Sequence, residues 1–257
     1  MGGALLRGWI RDDVIDAARS AVFDPSPPAS IIEAAKDHRF AVNPAPDAGR
    51  YDALVVAVKP QIAGEALPKF RELAIGATAI SVMAGKSLAA ISAALPEART
   101  LIRAMPNLPA AVGAGASAIF APPGATARDR EIAETLMRAV GAVVFVDSES
   151  AIDAVTAVSG SGPAYFFLLA EALADAAIAV GLEPAAAQNL ARATLSGAGA
   201  YAAADERSLA DLRRAVTSPG GTTDAALKIL DGDDKAIRQL LRKAVDAAKR
   251  RAGELTG

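Results

Sequence analysis

The strongest constraint on the fold of this chain is a change of pattern near residue 147. Before it, seven short β-rich runs alternate with helical stretches; after it, no strand pattern occurs. The runs are "SAVFD" (Ser20 to Asp24), "FAV" (Phe40 to Val42), "ALVVAV" (Ala53 to Val58), "ATAISVM", "TLIRAM", "GASAIF" and "AVVFV". Between them lie helical patterns at Ile62 to Leu73, Leu88 to Leu95 and Arg128 to Val140, and Ser30 with Glu33 spells a capping box that would open "IIEAAKDH". The uninterrupted apolar run Ala53 to Val58 reads as the most buried strand of a parallel sheet. Alternating β and α segments predict an α/β fold, an open and mainly parallel sheet covered by helices on both faces.

Beyond Asp147 the chain reads as helices at Pro163 to Val180, Pro184 to Tyr201, Ser208 to Thr217, Thr222 to Leu230 and Lys235 to about Ala252, with "KRRAGELTG" as a solvated helix end and tail. The predicted division is therefore 1–147, a dinucleotide-binding Rossmann-like domain, and 148–257, an all-α domain. The helical half is rich in alanine and short of bulky groups. Either a second subunit covers its faces or it packs tightly within one chain, and the pattern alone leaves both open.

Composition narrows the function. The excess in the hydrophobic fraction of 52% is largely alanine, and Glu171 and Asp175 interrupt the longest apolar stretch, so no membrane span is expected. Lys+Arg 27 against Asp+Glu 29 leaves no basic footprint for nucleic acid, which points to a small-molecule partner. There is no cysteine, no secretory pattern and no metal-ligand spacing; a cytoplasmic protein without a metal is expected. The single histidine, His38, is read as solvated at a helix end.

Several turns carry the candidate chemistry. In a dinucleotide fold the last glycine of G-x-G-x-x-G lets the following helix pack closely, and the helix N-terminus receives the pyrophosphate. Met1 and Gly2 could be the end of such a turn, or an ordinary ragged terminus. Asp24 ends the next strand about 20 residues on, where a carboxylate accepts from ribose hydroxyls; a turn before Pro25 is the other reading. "AVKPQ" places Val58, Lys59 and Pro60 at a strand's carboxyl end, "MAGKS" places Ala84 and Gly85 in a glycine turn, and "AMPNLPAAVGAG" follows the next strand. Three turns on one edge favour a cofactor site, though a surface lysine and plain turns remain the alternative.

Two further stretches belong to the helical half. In "SGSGPAYFF" the glycines and proline break the helical pattern, so backbone N–H groups are expected free near Pro163, unless this is a simple helix junction. "VTSPGGTTDAAL" gathers free amides, hydroxyls and a helix N-terminus into a receptor for a small carboxylate, or an ordinary capped turn. No lysine occurs between Lys86 and Lys228. Alcohol oxidation needs a general base, commonly His or Lys, whereas an iminium carbon accepts hydride directly, so a site without a base fits imine reduction.

Taken together, "MGGALLRGW", "AVKPQ", "IRAMPNLPA", "DAVTAVSGSGPAYFF" and "VTSPGGTTDAA" resemble the pyrroline-5-carboxylate reductase family in order and spacing along essentially the whole chain. The resemblance implies hydride transfer from NADPH or NADH to the C=N bond of 1-pyrroline-5-carboxylate, giving L-proline. It implies a helical domain that forms a homodimer, with higher oligomers built from dimers. Met1, Gly2, Asp24, Val58, Lys59, Pro60, Ala84 and Gly85 would line the cofactor, with Asn107 near its nicotinamide end. Ser218, Gly220, Gly221 and Thr222 would hold the substrate carboxylate, and Ser159, Gly160, Ser161, Gly162 and Pro163 would complete the pocket. Thr223 matches the threonine placed by the imine nitrogen, as orienting partner and proton relay.

The chain departs from the family pattern at Leu108, where Thr is usual, and at Met83, where Ala is common. Asp24 replaces a small polar residue; its carboxylate would repel a 2′-phosphate, so a lean towards NADH is expected. Family members begin with a strand and G-x-G-N-M-G, so the sheet is expected to lack its first strand here and translation to start roughly a dozen residues upstream of Met1. The alternatives are another imine or 3-hydroxy-acid reductase of the same architecture, or a non-catalytic dimeric scaffold.

Overall fold

The computed structural model describes residues 1–45 and 51–256, so Gly257 of the expected tail lies outside the described residues. The chain divides into two compact units, Met1–Ser161 with Ala248–Gly257, and Gly162–Ala247.

The first unit runs α1 (Gly2–Arg11), β1 (Ala21–Val22), α2 (Ala29–His38), β2 (Ala41–Val42), β3 (Ala53–Val56), α3 (Ala63–Ala66), α4 (Arg71–Ala74), β4 (Thr78–Ser81), α5 (Leu88–Ala94), β5 (Thr100–Met105), β6 (Gly115–Phe120), α6 (Ala127–Arg138), β7 (Gly141–Phe145) and α7 (Ala151–Val155). Strands β3 to β7 form one sheet in sequence order, and β1 and β2 form a separate parallel pair. Every pairing is parallel except β5 with β6. This is the expected α/β class, with the sheet in two pieces.

Period-two alternation sorts the core onto two faces. Ile80, Ile102 and Ile119 join Leu5, Leu6 and Trp9 of α1 and Leu136 and Met137 of α6 in one cluster. Ala79, next to Ile80, joins Val56, Leu67, Met83, Ile91 and Leu95 in the other. The Trp9 indole N–H donates to the Leu136 carbonyl at 2.6 Å, which anchors α1 while satisfying a buried polar atom. At the first residue of β7 the chain needs glycine: Gly141 has φ +145, and a Cβ there would stand 2.0 Å from the Gly115 carbonyl oxygen.

Some local expectations change. β3 is only half-buried over Ala53 to Val55 because it is the outermost strand of its sheet, while β4, flanked on both sides, is buried at all four positions. α2 begins at Ala29 behind Pro28 and has no side-chain cap, so Ser30 sits inside the first turn and the expected box does not form. A true capping box occurs at α6, where the Thr126 hydroxyl accepts from Asp129 N–H and the Asp129 carboxylate accepts from Thr126 N–H. His38 is exposed at the end of α2, as expected.

The second unit comprises α8 (Gly162–Ala179), α9 (Pro184–Ala204), α10 (Leu209–Ala215), α11 (Thr222–Asp231) and most of α12 (Ala236–Thr256). Pro184 occupies a first helical position, and the Glu183 carboxylate accepts from the amides of Ala185 and Ala186. Buried apolar side chains among the described residues here are few and, apart from Leu212, small, namely Ala174, Ala187 and Ala191, while Phe166, Phe167, Leu168, Leu169 and Leu173 of α8 are exposed. Among the described residues one stretch, Ala151–Ala179, is long and apolar enough to cross a membrane by length and composition alone, despite Glu171 and Asp175. The expected C-terminal tail is instead helix: α12 continues to Thr256, Ala252 is buried, and Leu255 lies against Gly85.

Candidate functional site

Because β3, β4 and β5 are mutually parallel, the three turns picked out in the sequence leave the sheet on one edge. After β3 come half-buried Val58, exposed Lys59 and Pro60, which opens a short 3-10 turn over Pro60–Ile62. Helix α1 begins beside this edge. A Cβ on Gly2 would stand 3.1 Å from the Ala57 Cβ, so glycine allows the close approach. Met1 is the N-cap without a side-chain hydrogen bond, and among the described residues the Gly2 and Gly3 amides have no acceptor. Two unpaired N–H groups at the positive end of a ten-residue helix form a receptor for an anion.

After β4, Ala84 and Gly85 form the glycine turn. Gly85 has φ +64, and an added Cβ would meet the Leu255 Cβ at 2.9 Å. Ser87 then caps α5 by accepting from Ala90 N–H at 3.3 Å. Glu149, which no sequence signal marked, reaches the same helix: its Oε1 accepts from Leu88 N–H at 2.7 Å and from the buried Arg103 guanidinium at 3.2 Å. Asp24 follows β1. The Asn43 side chain accepts from Asp24 N–H at 2.9 Å and donates to its carbonyl at 2.8 Å, while Asp24 Oδ1 accepts from Ser26 N–H. The carboxylate is thus held at a half-buried position by a local turn, with room for further donors.

Asn107 leaves β5 and is buried. Its Oδ1 accepts from Ala116 N–H and its Nδ2 donates to the Ser159 carbonyl, both at 2.9 Å. Ser159 and Gly160 belong to a π-helical turn, Thr156–Gly160, which follows α7 directly, and Ser161 N–H closes it on the Thr156 carbonyl at 2.8 Å. The glycines expected to break the helix are absorbed instead by this wider turn, and the amide of Ser161 is engaged.

In the second unit, Gly162 and Pro163 open α8. The Ser218 to Thr223 turn leads into α11 with Gly220 at φ +74, a left-handed position that suits glycine. Its amides divide into two groups. Gly221 N–H donates to the Ser218 carbonyl, and Gly220 N–H donates to Asp224 Oδ2 at 3.0 Å. Among the described residues the amides of Thr222 and Thr223 have no acceptor, and α11 has no side-chain cap. Asp224 also accepts from Lys228 Nζ at 2.9 Å; Lys228 first and the Gly220 amide second hold its carboxyl below the usual range. Sequence reading missed Asp224, although an acid in the first turn of a glycine-led helix was the available signal.

These features define a class: an α/β unit with a mainly parallel sheet, followed in sequence by a helical unit in which α11 starts without a side-chain cap. A family description, "Pyrroline-5-carboxylate reductase dimerisation", matches residues 149–255. The pyrroline-5-carboxylate reductase of Haemophilus influenzae is 33% identical over 255 residues, covering 98% of this chain and 91% of that protein. That of Pseudomonas aeruginosa is 40% identical over 208 residues, covering 79% and 74%. Among solved structures, the Coxiella burnetii pyrroline-5-carboxylate reductase superposes with a TM-score of 0.90 at 35% identity, over 100% of this chain and 95% of that one. The Plasmodium falciparum pyrroline carboxylate reductase, solved with NADP bound, gives 0.81 at 25% identity over 100% and 95%. The chain belongs to the pyrroline-5-carboxylate reductase family.

Proposed function

We propose that this protein reduces the C=N bond of 1-pyrroline-5-carboxylate to give L-proline, using a reduced nicotinamide cofactor. The observation that carries this reading is kinship to reductases of that name over 98% of the chain, beside one turn in each unit whose free amides suit an anion, a phosphate in the first and a carboxylate in the second. Residues 1–147 serve as the cofactor domain and 148–257 as the helical domain of dimerisation and substrate binding; the family match from residue 149 supports that division.

The first unit fits a dinucleotide. The close approach of Gly2 to Ala57 and the unpaired amides of α1 suit a pyrophosphate, with Val58, Lys59, Pro60, Ala84 and Gly85 along the same strand edge. The cofactor, when bound, supplies the hydride and its two electrons. The chain's own residues hold, orient and protonate the imine. The amides of Thr222 and Thr223 receive the carboxylate, in the field of the α11 N-terminus; Gly220, Gly221 and Ser218 shape the turn that leaves those amides free. The Thr223 hydroxyl hydrogen-bonds the imine nitrogen and relays one proton from solvent to it, regaining its own as it gives it, so that the carbon gains hydride, the nitrogen gains a proton and the C=N π bond is lost. Asp24 favours NADH, because its carboxylate accepts from the two ribose hydroxyls and repels a 2′-phosphate.

The exposed apolar side chains of α8 are assigned to a homodimer rather than to lipid, which the dimerisation description supports and which leaves higher assemblies of dimers open to the same interface logic. As a biosynthetic enzyme it belongs in the cytoplasm, without a nucleic-acid or membrane partner. Turnover of 1-pyrroline-5-carboxylate with NADH or NADPH is the direct test. Thr223→Ala is expected to lower kcat by about 10²-fold while cofactor affinity stays within a factor of about two. A chain that binds cofactor but reduces only oxo acids to hydroxy acids, or only other imines, would overturn the substrate assignment.

A further inference from the structure

Asn107 sits at the carboxyl end of β5, where the family resemblance puts a residue near the nicotinamide, yet the structure spends its amide on the protein. Only 7% of the residue is exposed. Its oxygen takes the Ala116 amide at the start of β6, and its nitrogen reaches 52 positions along the chain to the Ser159 carbonyl. Four residues beyond Ser159 stands Pro163, which has no N–H, so the helix that follows cannot supply the usual donor to the Ser159 carbonyl. Asn107 Nδ2 is the donor that meets it, at 2.9 Å. The sulfur arm of Met105 supports the same turn, since a Cβ on Gly160 would come within 3.2 Å of the Met105 Cε.

Two independent bonds from one buried amide therefore tie the β5 end, the β6 start and the π turn into a single unit. Ser159 Oγ and Thr156 Oγ1 turn inward on carbonyls four residues back, Val155 and Ile152, so neither hydroxyl pins the turn from outside. We propose that Asn107 is a positioning residue: it holds the Thr156–Gly160 π turn, a stretch that the family resemblance assigns to the substrate pocket, in register with the ends of β5 and β6, and it does not act by binding the cofactor. The inference rests on the substrate reading above for its catalytic consequence, and on geometry alone for its structural one.

Asn107→Asp is the sharpest variant, because a carboxylate retains an acceptor for Ala116 N–H and loses the donor to Ser159 O. Hydrogen–deuterium exchange on the unliganded protein should show amides 157–161 exchanging about 10-fold faster than wild type, with β5 and β6 unchanged. In the same variant KM for 1-pyrroline-5-carboxylate should rise about 10-fold while the Kd of the cofactor, read by quenching of the single tryptophan, stays within about twofold. Asn107→Ser, which loses both bonds but keeps a small polar cap before the following turn, supplies the comparison if the Asp variant fails to fold. Unchanged exchange over 157–161 in a folded variant overturns the proposal, as does a cofactor Kd weakened as much as KM. Should the wild type fail to reduce 1-pyrroline-5-carboxylate, the functional reading falls, while the exchange comparison still decides whether Asn107 pins the turn.

Discussion

The two units of this chain are built on opposite principles. The first closes large apolar side chains, Leu5, Trp9, Ile80, Ile102, Ile119 and Met137, between a sheet and its helices, and it pairs its buried charges. Asp129 shows this: it is almost fully buried, caps α6, and accepts from Thr78 Oγ1 at 2.6 Å and from Arg99 at 2.7 Å. The second unit buries mainly alanines and turns Phe166, Phe167 and Leu168 outward. A unit that keeps its large apolar groups outside relies on a second surface to cover them, whereas the first carries its stability in its own core. Stability and assembly should therefore respond to different substitutions in the two units.

The comparison breaks most visibly at Gly141. Gly141→Ala forces a Cβ into the Gly115 backbone at a φ that side chains avoid, and should destabilise the first unit by more than about 3 kcal/mol. The expected outcome is loss of soluble protein or a collapsed thermal transition; a wild-type melt would mean the β6–β7 contact is looser than this geometry. Next in size, Leu168→Asp should leave the fold of the first unit intact while weakening dimerisation by at least about 100-fold in Kd, seen by sedimentation or size-exclusion. An unaltered dimer would move the interface to another face of the helical unit.

Asp129→Asn tests the core's internal pairing. Burial works to raise the Asp129 pKa, but hydrogen bonds from Thr78, Thr126 and Arg99 outweigh it and hold the carboxyl well below the usual range. A lowered folded-state pKa means that the stabilisation is present above the ordinary carboxylate pKa and fades as pH falls below it. The variant should thus be less stable than wild type by about 2 kcal/mol at pH 7, with the gap narrowing below about pH 4. A gap independent of pH would show that packing, not charge, is what the substitution disturbs. The smallest effect is expected at Asp24, where Asp24→Ser should shift the ratio of kcat/KM for NADH over NADPH about 10-fold towards NADPH without changing the melt. No shift would detach Asp24 from cofactor choice.

Much of this was legible in the residues. Strand runs, the switch to helices after Asp147 and the family blocks follow from local periodicity and from motifs whose spacing is local. Errors arose where neighbours decide. Ala53 to Val56 reads as a central strand because its side chains are apolar, yet its place at the end of the five-stranded order leaves it half-exposed. Ser30 and Glu33 have the letters of a capping box, but the helix starts at Ala29, behind Pro28, two residues too early for Ser30 to be its cap. "SGSG" looks like a helix break, yet it forms a π turn whose Ser159 carbonyl, denied a helical donor by Pro163, is met by the Asn107 amide from beyond β5.

The sequence by itself determined the α/β-then-α order, the family and the absence of thiol chemistry, because each depends on residue types at short separations. Tertiary structure alone decided which amides of the Ser218 to Thr223 turn are free, that Asn107 is engaged with the protein, and that Asp129 is held ionised in the core. Those properties depend on which donor meets which acceptor across dozens of residues, and no local pattern encodes that meeting.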